Sequence, residues 1–447
     1  MSYMDEHFPP LPNDPNRPHS ISPTDLAQYL RLDQCRRYLR LRLHERRKEL
    51  TWLPKYRMSL QPIPPMLTIA GREFEQSIEA QVRQHFPDAI HCAQRQRAGD
   101  QRFMTSDHNH IVLDQIQQLV PGKKQVLFQP RLAAHLYGWS ISGDIDLLLL
   151  ARTGDGKLEL LIVDTKSSAT AKIEHRLQLA CYQRLAEQIC KDANVDLSTI
   201  RLGVLYRGEP ASTIQIPAER RRIEIEQQQA HDWLGVTTGY LEIIADPTPY
   251  LAEIETLLNG PSAILSTIAT APFAELPFHL TAKCDGCLYN EICMRWAALH
   301  DDLSLIPTLT EAEKSALHTH QITTTQQLAL LKEVATDSET LVTPSGCRQK
   351  VSELLRHPVL APRLDELILR ARAFRRWRGD HLSTPRRLPY RGYGTMPAIG
   401  PDLHPNLVAI YLDTLYDHTK GMLVMLGALV TGYHNGQLTD ERKRFVV

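Results

Sequence analysis

Asp146 closes the run Gly143-Asp144-Ile145-Asp146, Asp164 and Lys166 form a D-x-K in Val163-Asp164-Thr165-Lys166, and Gln178 and Tyr182 follow four positions apart. Carboxylates are hard oxygen donors that suit Mg2+ or Mn2+. Such an ion offsets charge on a pentacovalent phosphorus transition state and makes its bound water more acidic. In an extended strand, alternation puts Asp164 and Lys166 on one face and turns Thr165 away. The ammonium then stands beside the carboxylate, where it positions water or stabilises developing negative charge. Gln178 and Tyr182 lie one helical turn apart on one face. Strand-terminal Asp and Lys are common turn residues, so the D-x-K gains meaning only from its company. Together the set points to metal-dependent cleavage of a phosphodiester. Asp144, two residues before Asp146, shares its face in an unbroken strand and is the awkward neighbour.

A second chemistry lies in the cysteines. Cys284, Cys287 and Cys293 form C-x2-C-x5-C, and Cys35 stands far upstream in an Arg-rich helical stretch. Thiolates are soft ligands, and four of them suit either zinc or an iron–sulfur cluster. Closing so long a loop costs several kcal/mol of chain entropy, growing only with the logarithm of its length. A tightly held metal offsets that cost and staples the ends of one domain. Cys92, Cys181, Cys190 and Cys347 lack partners at ligand spacing and read as small buried hydrophobes.

The elements that position these residues follow from periodicity. Ser22-Pro23-Thr24-Asp25 is a helix start, with Ser at the N-cap and an acid at N3. Apolar Leu26, Tyr29, Leu30 and Leu32 then recur at helical spacing toward Cys35. Gly71-Arg72-Glu73-Phe74-Glu75 opens a second helix running through Ile78 and Val82. Residues 125–128, 133–137, 140–150 and 158–163 read as strands, the last two nearly all apolar and so buried on both faces. A helix over 172–190, a strand over 202–206 and helices through 219–270 complete an α/β core with a helix packed across the sheet.

In order and spacing these motifs resemble the PD-(D/E)XK nucleases. The resemblance is to the RecB-like branch that carries an iron–sulfur cluster, which includes the AddB subunit, CRISPR-associated RecB-like exonucleases and the eukaryotic Okazaki-fragment nuclease-helicase. The resemblance covers residues 20–298. It implies a restriction-endonuclease-like mixed sheet flanked by helices. It makes Asp146, rather than Asp144, the ligand of the G-x-I-D position. It adds Glu75 and the Thr165 carbonyl as metal ligands, and gives Gln178 and Tyr182 to substrate contact and ordering of the site. It also makes Cys35, in Asp33-Gln34-Cys35-Arg36-Arg37-Tyr38, the fourth ligand of a [4Fe-4S] cluster, with zinc as the alternative.

Beyond residue 298 the texture changes. Residues 299–345 resemble a helical-hairpin module, with His320-Gln321 where a glycine is expected, a departure that argues against phosphate gripping there. Residues 346–400 read as an Arg- and Pro-rich connector, and 401–447 as the first hairpin of an RNase H-like domain, truncated or vestigial. In that stretch the family's D-x-E is Asp413-Thr414-Leu415, which predicts no second activity. Residues 1–19, polar and rich in Pro and Asp, read as a disordered tail.

Length of 447 residues allows two or three domains. Lys+Arg and Asp+Glu both number 51, so nucleic-acid binding must come from local patches. Two stand out. One is 31–57, with Arg31, Arg36, Arg37, Arg40, Arg42, Arg46, Arg47, Lys48, Lys55 and Arg57; the other is 370–393, where arginines alternate with Phe374, Trp377, Tyr390 and Tyr393. Aromatic interleaving points the second toward phosphate contact and base stacking. No segment is long and apolar enough to span a membrane, and eight cysteines without a signal-type leader fit a reduced, cytoplasmic setting. The expected function is a Mg2+- or Mn2+-dependent deoxyribonuclease acting on single strands or duplex ends, with DNA as partner and a helicase or a recombination or defence complex as its setting. The alternatives are a catalytically silent DNA-binding scaffold and an RNA-directed nuclease with a zinc staple.

Overall fold

The computed structural model describes residues 6–12, 18–61, 65–92, 97–98, 101–102, 107–208, 215–335, 340–384, 401, 404–417 and 422–446. The chain divides into two compact units, residues 3–278 with 286–289, and residues 279–285 with 290–447.

The first unit is a mixed α/β fold. Its main strands are β1 (Ser20–Ile21), β2 (Ile90–His91), β3 (Lys124–Phe128), β4 (Arg131–Leu136), β5 (Trp139–Asp144), β6 (Leu147–Arg152), β7 (Leu158–Lys166), β8 (Leu197–Tyr206) and β9 (Tyr240–Ile243). Its main helices are α1 (Pro23–Arg31), α2 (Arg36–Arg46), α3 (Pro65–His85), α4 (Asn109–Gln118), α5 (Ile173–Asp192), α6 (Pro217–Leu234), α7 (Thr248–Leu258) and α8 (Ile264–Thr270). A six-stranded sheet runs β9-β8-β7-β6-β3-β2, and a three-stranded one β1-β5-β4. The β7–β8 and β2–β3 pairs are parallel, the other pairs of the large sheet antiparallel. Phe74, Ile78 and Val82 of α3 and Ala230 and Leu234 of α6 pack with Leu161, Val163 and Leu205 on one face of the large sheet. Gln178 of α5 reaches Asp164 from the other, because residues of opposite parity point there. The sheet is thus flanked by helices, as a restriction-endonuclease-like fold requires.

Four sequence expectations change. The apolar run 140–150 is two strands in two sheets, since the chain crosses between them at Ile145-Asp146. Ile145 N–H donates to Pro130 O there, and Gln129 N–H to Asp146 O. Gly71 lies inside α3 rather than opening it. The stretch 219–270 contains β9 besides its helices, because Leu241 and its neighbours cover the open edge of β8. Within residues 6–12, part of the expected tail, Phe8 and Leu11 are buried, and Phe8, 1% exposed, stacks on Phe273. The Ser22 capping box with Asp25 forms as the pattern predicts.

In the second unit, α9 (Asn290–Leu299), α10 (Glu311–Thr319), α11 (Thr325–Ala329), α12 (Arg348–Leu354) and α13 (Leu364–Trp377) are followed by an antiparallel sheet of β10 (Val408–Asp417), β11 (Met422–His434) and β12 (Gln437–Val446). Leu317, Ile322 and Leu328 share a core with Val351, Leu354, Leu364 and Ile368, so the expected connector contributes two helices to the helical module. Thr310 and Thr324 cap α10 and α11 through reciprocal bonds with Glu313 and Gln327. Gln321 takes φ 58°, the left-handed turn where the hairpin glycine is expected.

Candidate active site

Asp164 and Lys166 end β7, and their side chains meet: Lys166 Nζ donates to Asp164 Oδ1 at 2.8 Å. Gln178, in α5, donates to the same oxygen at 3.1 Å. Asp164 is only 2% exposed. Its other oxygen, Oδ2, is buried and receives no hydrogen bond. Burial first, and the neighbouring Asp146 carboxylate next, raise the Asp164 pKa, with the Lys166 charge opposing. Burial works against the Lys166 charge as well, but attraction to Asp164 and Asp146 outweighs it and holds its pKa above the ordinary lysine value.

Asp146 sits in the bend between β5 and β6 and accepts the Thr165 N–H at 2.6 Å through Oδ2. A cleft beside it is lined by Glu75, Ile78, Glu79, Phe128, Gln129, Asp146, Leu147 and Thr165. Glu75 is exposed on α3 at this cleft. Thr165 faces the cleft, opposite to the Asp164–Lys166 side, as strand alternation predicts.

The bend also resolves the position of Asp144. Its carboxylate pairs with the Arg131 guanidinium across the β4–β5 ladder at 3.0 Å. Its carbonyl accepts the Tyr182 hydroxyl at 2.6 Å. Gly143 allows that approach, since a Cβ there would stand 3.0 Å from Tyr182 Cε1 and 2.8 Å from Pro23 Cδ. The glycine of the G-x-I-D run is therefore a packing requirement. Burial, then Asp164 and Asp146, raise the Tyr182 pKa well above the phenol's usual value and keep its proton in place. His175, the next buried group of α5, is driven down to about 3 by burial and by Lys166, Lys172 and Arg176, so it stays neutral. Arg131 and His175 carried no motif and escaped sequence reasoning.

The donor set fits a hard divalent cation. The Asp146 carboxylate lies close enough to raise the Asp164 pKa, and one Asp164 oxygen is buried and unsatisfied. Among the described residues, no group of three or more His, Cys, Asp or Glu side chains is arranged to hold a metal ion. Two carboxylates completed by backbone oxygen and water remain compatible with that finding.

Cys35 occupies the N-cap position of α2 and is half-buried. Cys287 and Cys293 are buried, and Cys284 Sγ accepts the Thr281 N–H at 3.4 Å. Cys35 and Cys287 fall in the first unit, Cys284 and Cys293 in the second. Of the cysteines expected to be small buried hydrophobes, Cys92, Cys181 and Cys190 are buried, and burial raises their pKa values to about 11, 12 and 11. Cys347 is half-buried instead, with Sγ 3.8 Å from Leu330 O.

Part of each basic stretch is internal, while Arg36, Lys48, Lys55, Arg57 and Arg378 are exposed. Arg40, fully buried, donates to the carbonyls of Ile268, Ala269, Ala271, Phe8 and Pro9. Arg37, also buried, lies over the Phe278 and Phe273 rings. Arg42 and Arg46 clamp the buried Asp25 at 2.6 Å each. In the second stretch Arg372 is 3% exposed and bonds the Ala329 and Lys332 carbonyls, while Arg375 bridges Asp301 and Asp380. Trp377 is 82% exposed; Arg386, Arg387, Tyr390, Arg391 and Tyr393 lie outside the described residues.

No helix among the described residues is long and apolar enough to cross a membrane. No curated protein matches the chain. Among solved structures, one described as the crystal structure of SSO0001 is similar at 15% identity, with 62% of this chain and 86% of that chain covered. Its TM-score of 0.28 is too low to support any inference. The family model described as the PD-(D/E)XK nuclease superfamily matches residues 57–294. That match takes in Glu75, Asp146, Asp164, Lys166, Gln178 and Tyr182 and spans more than half the chain, so the protein belongs to the PD-(D/E)XK nuclease superfamily.

Proposed function

We propose that this chain is a Mg2+- or Mn2+-dependent DNA nuclease of the iron–sulfur RecB-like type, an exonuclease on single strands or duplex ends in DNA repair, recombination or defence, acting alone or with a helicase. The observation that carries the reading is the buried Asp164 Oδ2, which has no donor, on a carboxylate beside that of Asp146. Asp146, Asp164, the Thr165 carbonyl and Glu75 are the groups that would hold the ion. When bound, it supplies Lewis acidity toward the scissile phosphate and a more acidic water.

The chain's own side chains do the rest. Lys166, tied to Asp164, presents its ammonium to developing negative charge. Gln178 fixes the Asp164 rotamer, and Tyr182 fixes the 143–146 bend through the Asp144 carbonyl. Arg131 neutralises Asp144, which leaves Asp146 as the ligand of that bend.

The same reading gives Cys35, Cys284, Cys287 and Cys293 to a [4Fe-4S] cluster, with zinc as the alternative. Four soft donors and the amide hydrogen bond to Cys284 Sγ support it. The C-terminal sheet is read as the start of an RNase H-like domain without activity of its own.

Anaerobically purified protein incubated with labelled single- and double-stranded DNA tests the reading. Cleavage with Mn2+ that stops with EDTA is the expected result. DNA retained without cleavage would replace the enzyme by a silent binding module, and cleavage confined to RNA would replace the substrate.

A further inference from the structure

We propose that Arg207 grips the phosphate next to the scissile one on the bound DNA strand; this rests on the nuclease reading above. β8 runs parallel to β7, and Tyr206 stands opposite Lys166. The chain then continues alongside: Arg207 N–H donates to Lys166 O at 3.3 Å, and Gly208 N–H to Ser168 O at 3.4 Å. Arg207 therefore leaves the sheet beside Lys166, at the same carboxyl end. Its guanidinium lies over the Phe74 ring, 5.3 Å from the centroid, and Phe74 directly precedes Glu75.

The backbone there is pinned. Gly208 takes φ +64°, and a Cβ at that position would stand 2.3 Å from Tyr240 Cδ2. Tyr240 in turn packs with Tyr206 and Ile223, and the Tyr206 hydroxyl bonds Glu226. The direction in which Arg207 departs from the sheet is set before any ligand arrives.

Several other arginines of this unit are committed. Arg40 and Arg152 bond carbonyls, while Arg42, Arg131 and Arg176 pair with carboxylates. Lys166 is held by Asp164. Arg207, among the described residues, has the ring beneath it and no acceptor for its N–H groups. A guanidinium stacked by its face keeps five N–H donors directed in its plane, the geometry that matches a phosphate. The neighbouring carboxylates Glu75, Asp146 and Asp164 repel a polyanion, and a cation beside them offsets that repulsion.

A phosphate contact and a mere brace on Phe74 differ in their response to salt. Binding of wild type, Arg207→Gln and Arg207→Lys to single-stranded DNA is measured in Ca2+ across a salt series, and cleavage separately in Mn2+. Arg207→Gln is expected to bind about tenfold more weakly at low salt. Its log–log salt slope is expected to be shallower by about 0.7, one phosphate contact on a single strand. Arg207→Lys is expected to restore the slope, which a lost packing contact would not do. Equal slopes for Gln, Lys and wild type would overturn the contact while cleavage by wild type kept the nuclease reading. A shallower slope in a chain that never cuts would keep the contact and remove the nuclease.

Discussion

Lys166 and Asp164, two positions apart on one strand, form an ion pair of 2.8 Å that occupies only Oδ1 of the carboxylate. Oδ2 is buried with no donor, and the Asp146 carboxylate is a neighbouring charge. A buried carboxylate with an unsatisfied oxygen and a like charge beside it is costly to keep. A divalent cation would remove both costs at once, which supports the role proposed for the pair.

Removing either member should separate cleavage from folding. Asp164→Asn keeps the shape of the side chain and its bond from Gln178 but withdraws the charge. Mn2+-dependent cleavage should fall by about a thousandfold or more with the melting temperature nearly kept. Lys166→Ala should cut as poorly. Turnover at the wild-type level by either variant would end the assignment.

If the four cysteines hold [4Fe-4S], anaerobic protein should be brown, with broad visible absorption of thiolate-to-iron origin. Cys35→Ala, Cys284→Ala, Cys287→Ala and Cys293→Ala should each bleach it and lower thermal stability. Cys92→Ala and Cys181→Ala should keep the colour. Colourless protein carrying one zinc per chain would retain the staple and change its metal; protein folded and active with neither would dispose of it.

Arg40 tests the correction to the first basic stretch. Its guanidinium satisfies five carbonyls in a fully buried position. Arg40→Leu should therefore destabilise by about 3 kcal/mol or more, measured by urea unfolding. The salt slope of DNA binding should not move. A shallower slope with unchanged stability would return Arg40 to the nucleic-acid surface.

His44 should shape the acid response. It is fully buried, and burial lowers its pKa to about 4, with Nε2 accepting from Arg40 and Nδ1 on Glu49. A histidine held neutral in the fold keeps its full contribution above the ordinary value of 6.5. That contribution is lost as pH falls from 6.5 toward 4, because the unfolded chain takes a proton that the fold refuses. The loss should reach about 3 kcal/mol. Melting curves of wild type and His44→Gln across this window should diverge at acid pH; parallel curves would refute the assignment.

A chain ending at residue 400 should cut DNA as well as the full one. β10, β11 and β12 pair with one another, and Asp413 lacks the acidic partner of a D-x-E. Loss of cleavage in a truncated protein that still folds would show that this sheet serves the active site.

Local chemistry made much of the first unit legible. The Ser22 cap, the apolar runs of β6 and β7, the helix carrying Gln178 and Tyr182, and the parity of Asp164 and Lys166 all depend on neighbours within a few residues, where spacing speaks directly. The motif favoured Asp146 over Asp144, and tertiary structure gives the two different surroundings. The two share parity along the chain, but the crossing between sheets at Ile145-Asp146 gives Asp144 to Arg131 and turns Asp146 toward Thr165 and the cleft. It also decided the fate of the arginines. A run of cations reads the same whether it faces water or fills the interior, and only distant carbonyls from Ile268, Ala269 and Phe8 make Arg40 a brace. Arg207 is the converse case: nothing beside it in sequence marks it, and only the parallel pairing of β7 and β8 brings it next to Lys166.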